Sequence, residues 1–338
     1  MIKYLAGFFL LLFYASSSFS QQGGEHIFQF LNLGSSARSV ALGGEQVALG
    51  DPEPDLAFNN PALLEASMNQ TTILNYVRYM ADIRYGMASY THHMNRWGTW
   101  SAAIHYVDYG KFTEANQAGK ITGSFKAGEY AFLLTWSKKL SPNWQIGLNL
   151  KPIYSVLEKY HSWAIATDMG LRYQSNEQGL QMAIVARNIG LQLKPYEGTS
   201  QEPLPFEILM GYSQRLAHAP FRIAITYRHL EKFDSGGKTS PSQNTQEPTK
   251  NNLLKTGINH LVIGMEFLPS SNFTLRAGYN IQRRNDLSVE AKRSTVGLCW
   301  GFGIKIARFR LGYASARYHL AATTNHFSIS TCLSDFHF

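Results

Sequence analysis

Two groups of residues have side chains that could perform chemistry, and neither has the surroundings that such chemistry needs. Gly237-Lys238-Thr239 is similar to the end of a phosphate-binding loop, but Lys232 stands where that motif requires its first glycine, and no strand-to-helix pattern surrounds it. His92, His93 and His161 could bind a metal, yet no carboxylate or cysteine set at ligand spacing accompanies them. The sequence therefore predicts a protein that is not an enzyme and has no cofactor and no metal.

The dominant pattern is alternation of apolar and polar residues, which is typical of strands with two different faces. In Trp144–Lys151 the apolar side chains of Trp144, Ile146, Leu148 and Leu150 share one face. Similar segments recur from residue 71 to residue 338, and we predict fourteen strands. An arginine at Ile146 or Leu148 should then impair barrel insertion more than one at Asn149, because the apolar face would contact lipid.

The beginning and the composition of the chain indicate an exported membrane protein. Lys3, an apolar stretch and then small residues up to Ser20 predict a signal peptide at residues 1–20. Charged residues are 16% of the chain, against about 25% in soluble proteins, and aromatic residues are 13%. No later stretch approaches the ~18 apolar residues of a membrane-spanning helix. The net charge of +8 is scattered, so we expect contact with anionic lipid head groups and not with nucleic acid.

The lengths of the predicted connections divide into two sets, which is the plan of an outer-membrane barrel. Long connections follow odd-numbered strands and should face the cell surface: 110–128, 188–205, 231–259 and 283–292. Tight connections follow even-numbered strands: 138–143, 175–179, 215–220 and 269–272. Thr295–Ile306 is predicted as one strand with Val296 outward, and Cys299 and Cys332 as free thiols, with one bridge as the alternative.

Several charged residues fall on the face of the strands opposite to the apolar one. On that inward face an interior charge network that fills the lumen is a better explanation than a ligand path, because the same charges would be costly in lipid. The predicted inward charges are Asp168, Arg172, Arg187, Arg222, Arg228, Glu266 and Arg276.

The segment that precedes the first strand breaks the alternation and predicts a different role. Asn60 is suited to cap a helix with Pro61 as its first residue and Ala62 next. A lumen enclosed by fourteen strands is too wide for side chains alone to fill. We therefore divide the chain into a signal peptide (1–20), an N-terminal plug (21–68) and a transmembrane barrel (69–338).

Particular motifs make the mature chain resemble the PorQ family, an outer-membrane component of the type IX secretion system of Bacteroidetes. In the plug they are Phe30-Leu31-Asn32-Leu33, Ser36-Ala37-Arg38, Ala41-Leu42-Gly43-Gly44 and Asn60-Pro61-Ala62. The barrel adds Tyr109-Gly110-Lys111-Phe112, residues 119–128, Leu157-Glu158-Lys159-Tyr160, Lys194-Pro195 and residues 203–206. The Asn-Pro-Ala element is shared more widely, with FadL-type fatty-acid channels and PorV-type barrels. Loop 231–259 has no counterpart in the family pattern.

This resemblance implies an all-β membrane protein, a FadL-like fourteen-stranded antiparallel outer-membrane barrel without catalytic activity. It also implies a scaffold role in the cargo attachment complex, with a PorZ-like surface protein and PorU- or PorV-type components as partners, alongside outer-membrane lipid and lipopolysaccharide. Alternatives are a FadL-like channel for hydrophobic small molecules and a PorV-like cargo shuttle. Exposed anchor groups in the loops are the partner-binding candidates: Phe112, Tyr196, Phe233, Leu253 and Leu254.

Overall fold

Fourteen antiparallel strands close into a barrel in the computed structural model of the chain, as the alternation predicts. Each strand pairs with its neighbours in sequence, and β1 closes the barrel on β14, from Thr71 opposite Cys332 to Arg78 opposite Asn325. The structure describes residues 26–51, 53–116, 118–175, 179–232, 257–287, 295–319 and 322–336. The strands are β1 (Thr71–Arg78), β2 (Arg84–Met94), β3 (Gly98–Ala115), β4 (Ile121–Lys139), β5 (Trp144–Leu157), β6 (Tyr160–Gln174), β7 (Leu180–Lys194), β8 (Glu207–Arg215), β9 (Phe221–Tyr227), β10 (Leu261–Phe267), β11 (Phe273–Asn280), β12 (Leu298–Ile306), β13 (Phe309–His319) and β14 (Ala322–Cys332).

The two faces of the strands have the predicted orientation. Leu148 and Leu150 on β5 are more than two-fifths exposed and point away from the barrel axis, whereas Asn149 and Lys151 are buried inside. The same division recurs around the wall, because a period of two places every second side chain on the outer surface. The register inferred from sequence for this strand is therefore correct. Among the described helices, none has the length and apolar character needed to cross a bilayer.

Aromatic side chains collect on the outer surface near both rims. At the end with the short connections, Trp144 contacts Tyr173 and Phe309 contacts Phe336. Near the other rim the ring of Tyr154 lies 4.5 Å from that of Trp163. Rings with one apolar and one polar edge are typical of the boundary between hydrocarbon and water, so the two belts mark the part of the wall that lipid would cover.

The longest connections follow β7, β9 and β11, on the predicted side, but those after β5 and β13 span only two positions each, and other lengths also differ from the sequence prediction. Residues 110–128 are mostly strand, since β3 reaches Ala115, β4 begins at Ile121 and only 116–120 connect them. Strand β7 likewise takes residues up to Lys194 from the predicted loop 188–205. Polar strands that extend beyond the lipid lose the apolar alternation by which strands are recognised, and this explains both errors. We call the rim with these longer connections the loop end and the opposite rim the turn end.

The prediction for the start of β12 was also wrong. Val296 is fully buried and does not face outward, and the strand begins only at Leu298. Gly297 has φ +89°, a left-handed conformation that turns the chain before the extended segment starts. In the predicted loop 283–292, residues up to Leu287 belong to a helix, Ile281–Leu287, which we call α2.

Residues 26–68 lie inside the barrel, where most of them are buried. They form one α-helix, α1 (Ala37–Ala41), and short 3-10 helices at Gln29–Asn32, Pro54–Phe58, Pro61–Leu63 and Ala66–Met68. We call residues 26–68 the plug segment. It begins at the loop end, where the amide of Ile27 donates to the carbonyl of Pro203, and it ends at the turn end, just before β1. The segment therefore runs through the whole lumen.

Candidate functional site

The plug segment packs closely against the wall at the predicted Asn-Pro-Ala motif. The Asn60 side chain caps the 3-10 helix Pro61–Leu63, with Oδ1 accepting from the amide of Ala62 at 2.9 Å. Its Nδ2 donates to the carbonyl of Val47 at 2.9 Å, which joins two turns of the plug segment. A methyl group at Gly147 of β5 would lie 2.3 Å from the carbonyl carbon of Pro61, so only glycine allows this approach. The motif thus has a structural role against the wall.

Arg38, the other predicted plug residue, lies at the centre of a buried ion cluster with Glu266 of β10. The Nε and Nη2 atoms of Arg38 donate to the two carboxylate oxygens of Glu266, each at 2.8 Å. Arg222 and Arg276 donate to the same carboxylate at 2.8 and 3.0 Å. Asp51 of the plug segment contacts both Arg38 and Arg222. Three guanidinium groups therefore share one buried strand carboxylate, and the plug supplies both a cation and an acid.

A second ion cluster joins the plug segment to the wall nearer the loop end. Glu45 pairs with Arg228 at 2.7 Å, and Arg228 also contacts Glu207 of β8 at 2.8 Å. Arg187 of β7 lies 3.6 Å from the same Glu207. Two further pairs, Lys151 with Asp168 at 2.7 Å and Arg172 with Glu65 at 2.5 Å, complete the predicted inward set. All seven charged residues predicted to face inward do so, in ion pairs with the plug segment or with each other.

The pKa values of the plug acids differ because their partners differ. Burial by itself would raise the pKa of Asp51, but the guanidinium groups of Arg38 and Arg222 outweigh it and hold that pKa well below its usual range. Burial together with repulsion from Glu53 raises the pKa of Asp55 to about 6. Its Oδ1 atom has no hydrogen-bond partner. Asp51 is thus a fixed negative charge, whereas Asp55 titrates near neutrality.

The part of the plug segment that faces β2–β6 is apolar. Phe28, Phe30, Leu31 and Phe58 pack with a set of wall residues in one buried cluster. The fully buried ring of His105 lies 4.9 Å from that of Phe58 and 5.7 Å from that of Phe30. The lumen is therefore mainly apolar along β2–β4 and charged along β7–β11, while β5 and β6 contribute both apolar side chains and the ion pairs of Lys151, Asp168 and Arg172. The wall residues of the cluster are Val77, Tyr85, Met87, Val107, Ala131, Leu133, Ile153, Ala164 and Ala166, with Leu204 from the β7–β8 connection.

Two cavities lie at opposite ends of the plug segment, and both have charged linings. The turn-end cavity has a volume of about 550 Å³ and borders the Arg38–Glu266 cluster and the β10–β11 turn. The loop-end cavity has a volume of about 320 Å³ and is lined by Glu45, Arg228 and Arg283 among others. They share no lining residue. An apolar ligand prefers a mostly apolar pocket, so neither cavity suits one in this conformation.

Of the partner-binding candidates, Phe112 and Tyr196 are described, and both lie at the loop end. The ring of Phe112 stacks on that of Phe125 at 5.1 Å, and Phe112 is 42% exposed. A bulge between Asp108 and Lys111 shifts the pairing with β4 by one residue, so this pair lies on the lumen side of the hairpin. The half-buried Tyr196 hydrogen-bonds through its hydroxyl to Ser155. Phe233, Leu253 and Leu254 lie outside the described residues.

Two of the histidines considered as metal ligands lie within hydrogen-bond distance of side-chain hydroxyl groups. Nδ1 of His93 lies 2.9 Å from the Thr99 hydroxyl, and Nδ1 of His161 lies 2.7 Å from that of Tyr154. Within the described ranges no group of three or more potential metal ligands occurs. Gly237-Lys238-Thr239 lies outside those ranges. Both cysteines are free.

Sequence reasoning missed the acids of the plug segment, which complete the ion clusters. Glu45, Asp51, Glu53 and Asp55 lie close together in sequence, in a segment otherwise poor in charge. A surplus of inward arginines on the strands requires nearby carboxylates, because a buried charge needs a partner. The surplus of inward arginines was therefore the sequence signal that could have predicted these acids.

Comparison with solved structures identifies the class of the fold. The Ralstonia pickettii toluene transporter TbuX superposes with a TM-score of 0.55 at 12% identity, over 92% of this chain and 100% of that one. The Pseudomonas putida toluene transporter TodX gives 0.52 at 12% identity, over 88% and 96%. A Pseudomonas aeruginosa FadL homologue aligns at only 0.47, which is too low to support an argument. No protein-family model and no curated protein sequence matches the chain.

The chain therefore shares its fold, a closed barrel of fourteen antiparallel strands, with the outer-membrane barrels TbuX and TodX. At 12% identity the likeness establishes the fold and not a substrate. Both neighbours are described as toluene transporters.

Proposed function

We propose that this protein is a non-enzymatic outer-membrane scaffold that acts in the type IX secretion system and holds a PorZ-like surface protein through its loop end. The observation that carries the proposal is the filled lumen: the plug segment runs from rim to rim and is attached to the wall by buried ion clusters. A barrel filled in this way offers a rigid platform at its rim. The PorQ-like motifs in the plug and barrel support the particular system.

The loop end has the features that a protein partner would require. The β3–β4 hairpin extends beyond the apolar alternation and carries the stacked Phe112–Phe125 pair, while Tyr196 lies on the β7–β8 connection and bonds to Ser155 of β5. Aromatic groups on rigid strands are effective anchors, because little conformational entropy is lost when they are covered. In this proposal the loop end faces the cell surface, and PorU- or PorV-type components of the attachment complex are further partners.

The second candidate is a channel for hydrophobic small molecules, and the fold likeness favours it. Two of the structural neighbours are described as toluene transporters. The apolar cluster between the plug segment and β2–β6 is the specific feature that supports it here. If residues 28–33 moved away, the exposed wall would be an apolar path, which a hydrophobic solute prefers. Comparisons offer no corresponding support for secretion, so the two functions must be separated by experiment.

Affinity purification from the outer membrane tests the scaffold directly. Deleting residues 233–256 should remove a stoichiometric surface protein from the purified material. The deletion keeps residues 228–232 and 257–260 at the two ends of the connection. Glu231 must stay, because its carboxylate accepts from the amide of Ile208 at 2.8 Å and holds the connection to β8. Phe112→Ala should also weaken capture. The matched control is Phe309→Ala, which removes a ring of similar exposure, 40% against 42%, at the turn end.

Uptake measurements test the channel. If the lumen stays filled, liposomes that contain the purified protein should take up toluene and fatty acid no faster than empty liposomes. A deletion strain should then lose surface attachment of secreted cargo and keep normal uptake of hydrophobic substrates. The opposite pair of results, normal attachment and lost uptake, would reject the scaffold and support the channel.

A further inference from the structure

An unusual polar cleft lies on the outer wall near the loop end, where β12, β13 and β14 meet. Its volume is about 240 Å³. Outward positions elsewhere on the wall are mainly apolar, as at Ile263 and Tyr279 on β10 and β11. We call it the upper cleft, and its lining residues are Thr295, Leu298, Trp300, Ser315, Arg317 and Thr323.

The upper cleft exists because β12 starts late. Strand β13 runs to His319 and β14 starts at Ala322, but β12 begins at Leu298 and its paired register with β13 begins at Cys299 opposite Ala316. The turn at Gly297 leads the preceding residue, Val296, into the lumen, where it is fully buried. No β12 side chain is therefore paired beside Arg317, and a gap in the outer wall results.

The chemistry of the cleft is that of an anion site. Arg317 is exposed, and its Nη1 atom donates to the hydroxyl of Thr295 at 2.6 Å. Within the described part of the chain, Arg317 forms no ion pair with a carboxylate. The hydroxyls of Ser315 and Thr323 line the same cleft. A guanidinium fork beside hydroxyl donors matches the oxygens of a phosphate group.

The position of the cleft relative to the aromatic belt indicates where that phosphate would come from. The ring of Trp300 lies 5.7 Å from that of Tyr313, which in turn lies 5.3 Å from that of Phe327. These rings belong to the apolar band just below the cleft, since Arg317 follows Tyr313 by four residues on the same outward face. Aromatic rings mark the level at which hydrocarbon gives way to head groups. Arg317 is thus placed at head-group height, with apolar rings beneath it for acyl chains.

We propose that the upper cleft binds the phosphate of a membrane lipid head group, with Arg317 as the principal ligand and Thr295, Ser315 and Thr323 as hydroxyl donors. The lipid is one with an exposed phosphate monoester, because its three terminal oxygens and charge of about −1.5 to −2 can engage both the guanidinium fork and the hydroxyls, whereas a phosphodiester offers two oxygens and one charge. The acyl chains would lie over Leu298 and Trp300. This site depends on the barrel being in a membrane and not on which of the two proposed functions is correct.

Native mass spectrometry of the full-length mature protein in phosphatidylcholine nanodiscs tests the proposal, with diphosphoryl lipid A added as the probe. One lipid A should remain bound to the wild type, and Arg317→Gln should reduce the bound fraction at least fivefold. Arg308→Gln is the matched control, because Arg308 lies at the other end of the same β12–β13 hairpin, over the ring of Phe336. It should leave the bound fraction unchanged. Thr295→Val, which removes only a hydroxyl, should give an intermediate loss without risk to folding.

Four results would overturn the proposal. Equal retention of lipid A by wild type and Arg317→Gln would show that Arg317 is not the principal ligand. Equal retention of a dephosphorylated lipid A would show that acyl chains alone bind there. Displacement of the bound lipid by millimolar inorganic phosphate would show a site for free phosphate and not for a lipid head group. Loss of binding in Arg308→Gln to the same extent as in Arg317→Gln would place the interaction outside the cleft.

Discussion

Glu266→Gln is the substitution that most directly tests how the plug segment is held. Glu266 is fully buried and accepts four hydrogen bonds from the guanidinium groups of Arg38, Arg222 and Arg276. Glutamine has nearly the same shape, but one oxygen becomes an NH₂ donor that faces other donors. The negative charge that the three cations share is also lost. Asp51 and Glu53 remain as the nearest compensating acids.

The expected loss of stability follows from these contacts. Two of the four hydrogen bonds cannot form, and hydrogen bonds to charged groups contribute roughly 1.5–3 kcal/mol each. Removing one partner of a buried ion pair costs about 3–5 kcal/mol in measured cases. We therefore expect Glu266→Gln to lower the free energy of unfolding by about 3–5 kcal/mol. The loss should appear first as release of the plug segment, because Arg38 is its main attachment on the charged side.

Guanidinium titration in detergent micelles, followed by tryptophan fluorescence, measures the stability of the barrel. Limited trypsin digestion measures release of the plug segment, through cleavage after Arg38. Glu197→Gln is the control: it makes the same chemical change at an exposed loop position and should shift stability by less than ~0.5 kcal/mol. Adding Arg222→Gln to Glu266→Gln should recover part of the loss, because one uncompensated cation is removed. A free energy of unfolding for Glu266→Gln that lies within ~1 kcal/mol of the wild-type value would refute the reasoning.

Three further predictions concern the wall and the plug. Leu148→Arg should lower the yield of folding into liposomes, at a cost of about 2–4 kcal/mol near the midplane. The inward control is Thr274→Arg, because Thr274 lines the turn-end cavity, whereas Asn149 is fully buried and has no room for an arginine. Equal yields of the two variants would contradict the register. Asp55, with its pKa raised from 3.8 to about 6, favours the folded state at low pH, and this contribution is lost as pH rises through 6, by up to ~3 kcal/mol. Asp55→Asn should therefore flatten stability between about pH 4 and 6, the interval between the unfolded and folded pKa values, in denaturant titrations, and an unchanged slope would argue against it. Gly147→Leu should prevent docking of the Asn-Pro-Ala turn and expose the plug to trypsin, whereas full protection would exclude the close approach.

The wall could be predicted from sequence because lipid enforces a simple rule. Each crossing strand must place apolar side chains outward at every second position, so segments such as Trp144–Lys151 indicate both strand and orientation. The rule weakens where strands leave the lipid, which is why β3, β4 and β7 extend further than predicted. The rule fails at Val296, because the turn at Gly297 directs the Val296 side chain into the lumen and not toward the lipid.

The path of the plug segment could not be predicted, for a different physical reason. Its short helices have no amphipathic period, and their positions depend on partners far away in sequence. Arg38 meets Glu266, 228 positions later, and Ala37 donates to the hydroxyl of Ser328, 291 positions later. The local cap at Asn60 was predictable, since it depends on residues next to it.

The uneven surroundings of the plug segment bear on which function is correct. Its charged side can leave the wall only by separating buried ion pairs, which costs several kcal/mol for each pair. Around Phe28, Phe30 and Phe58 its contacts with the wall are apolar, and a hydrophobic solute would replace one apolar contact by another there. A channel would therefore open around these residues with the Arg38–Glu266 cluster intact, so wild type should admit toluene and Glu266→Gln should leave that rate unchanged. A scaffold predicts a different result: partner capture through Phe112 should survive Glu266→Gln, because the β3–β4 hairpin is held by its own strand pairing. Toluene entry above that of empty liposomes in both wild type and Glu266→Gln, with unchanged capture of a surface protein, would thus assign transport to the lumen and attachment to the rim of the same barrel.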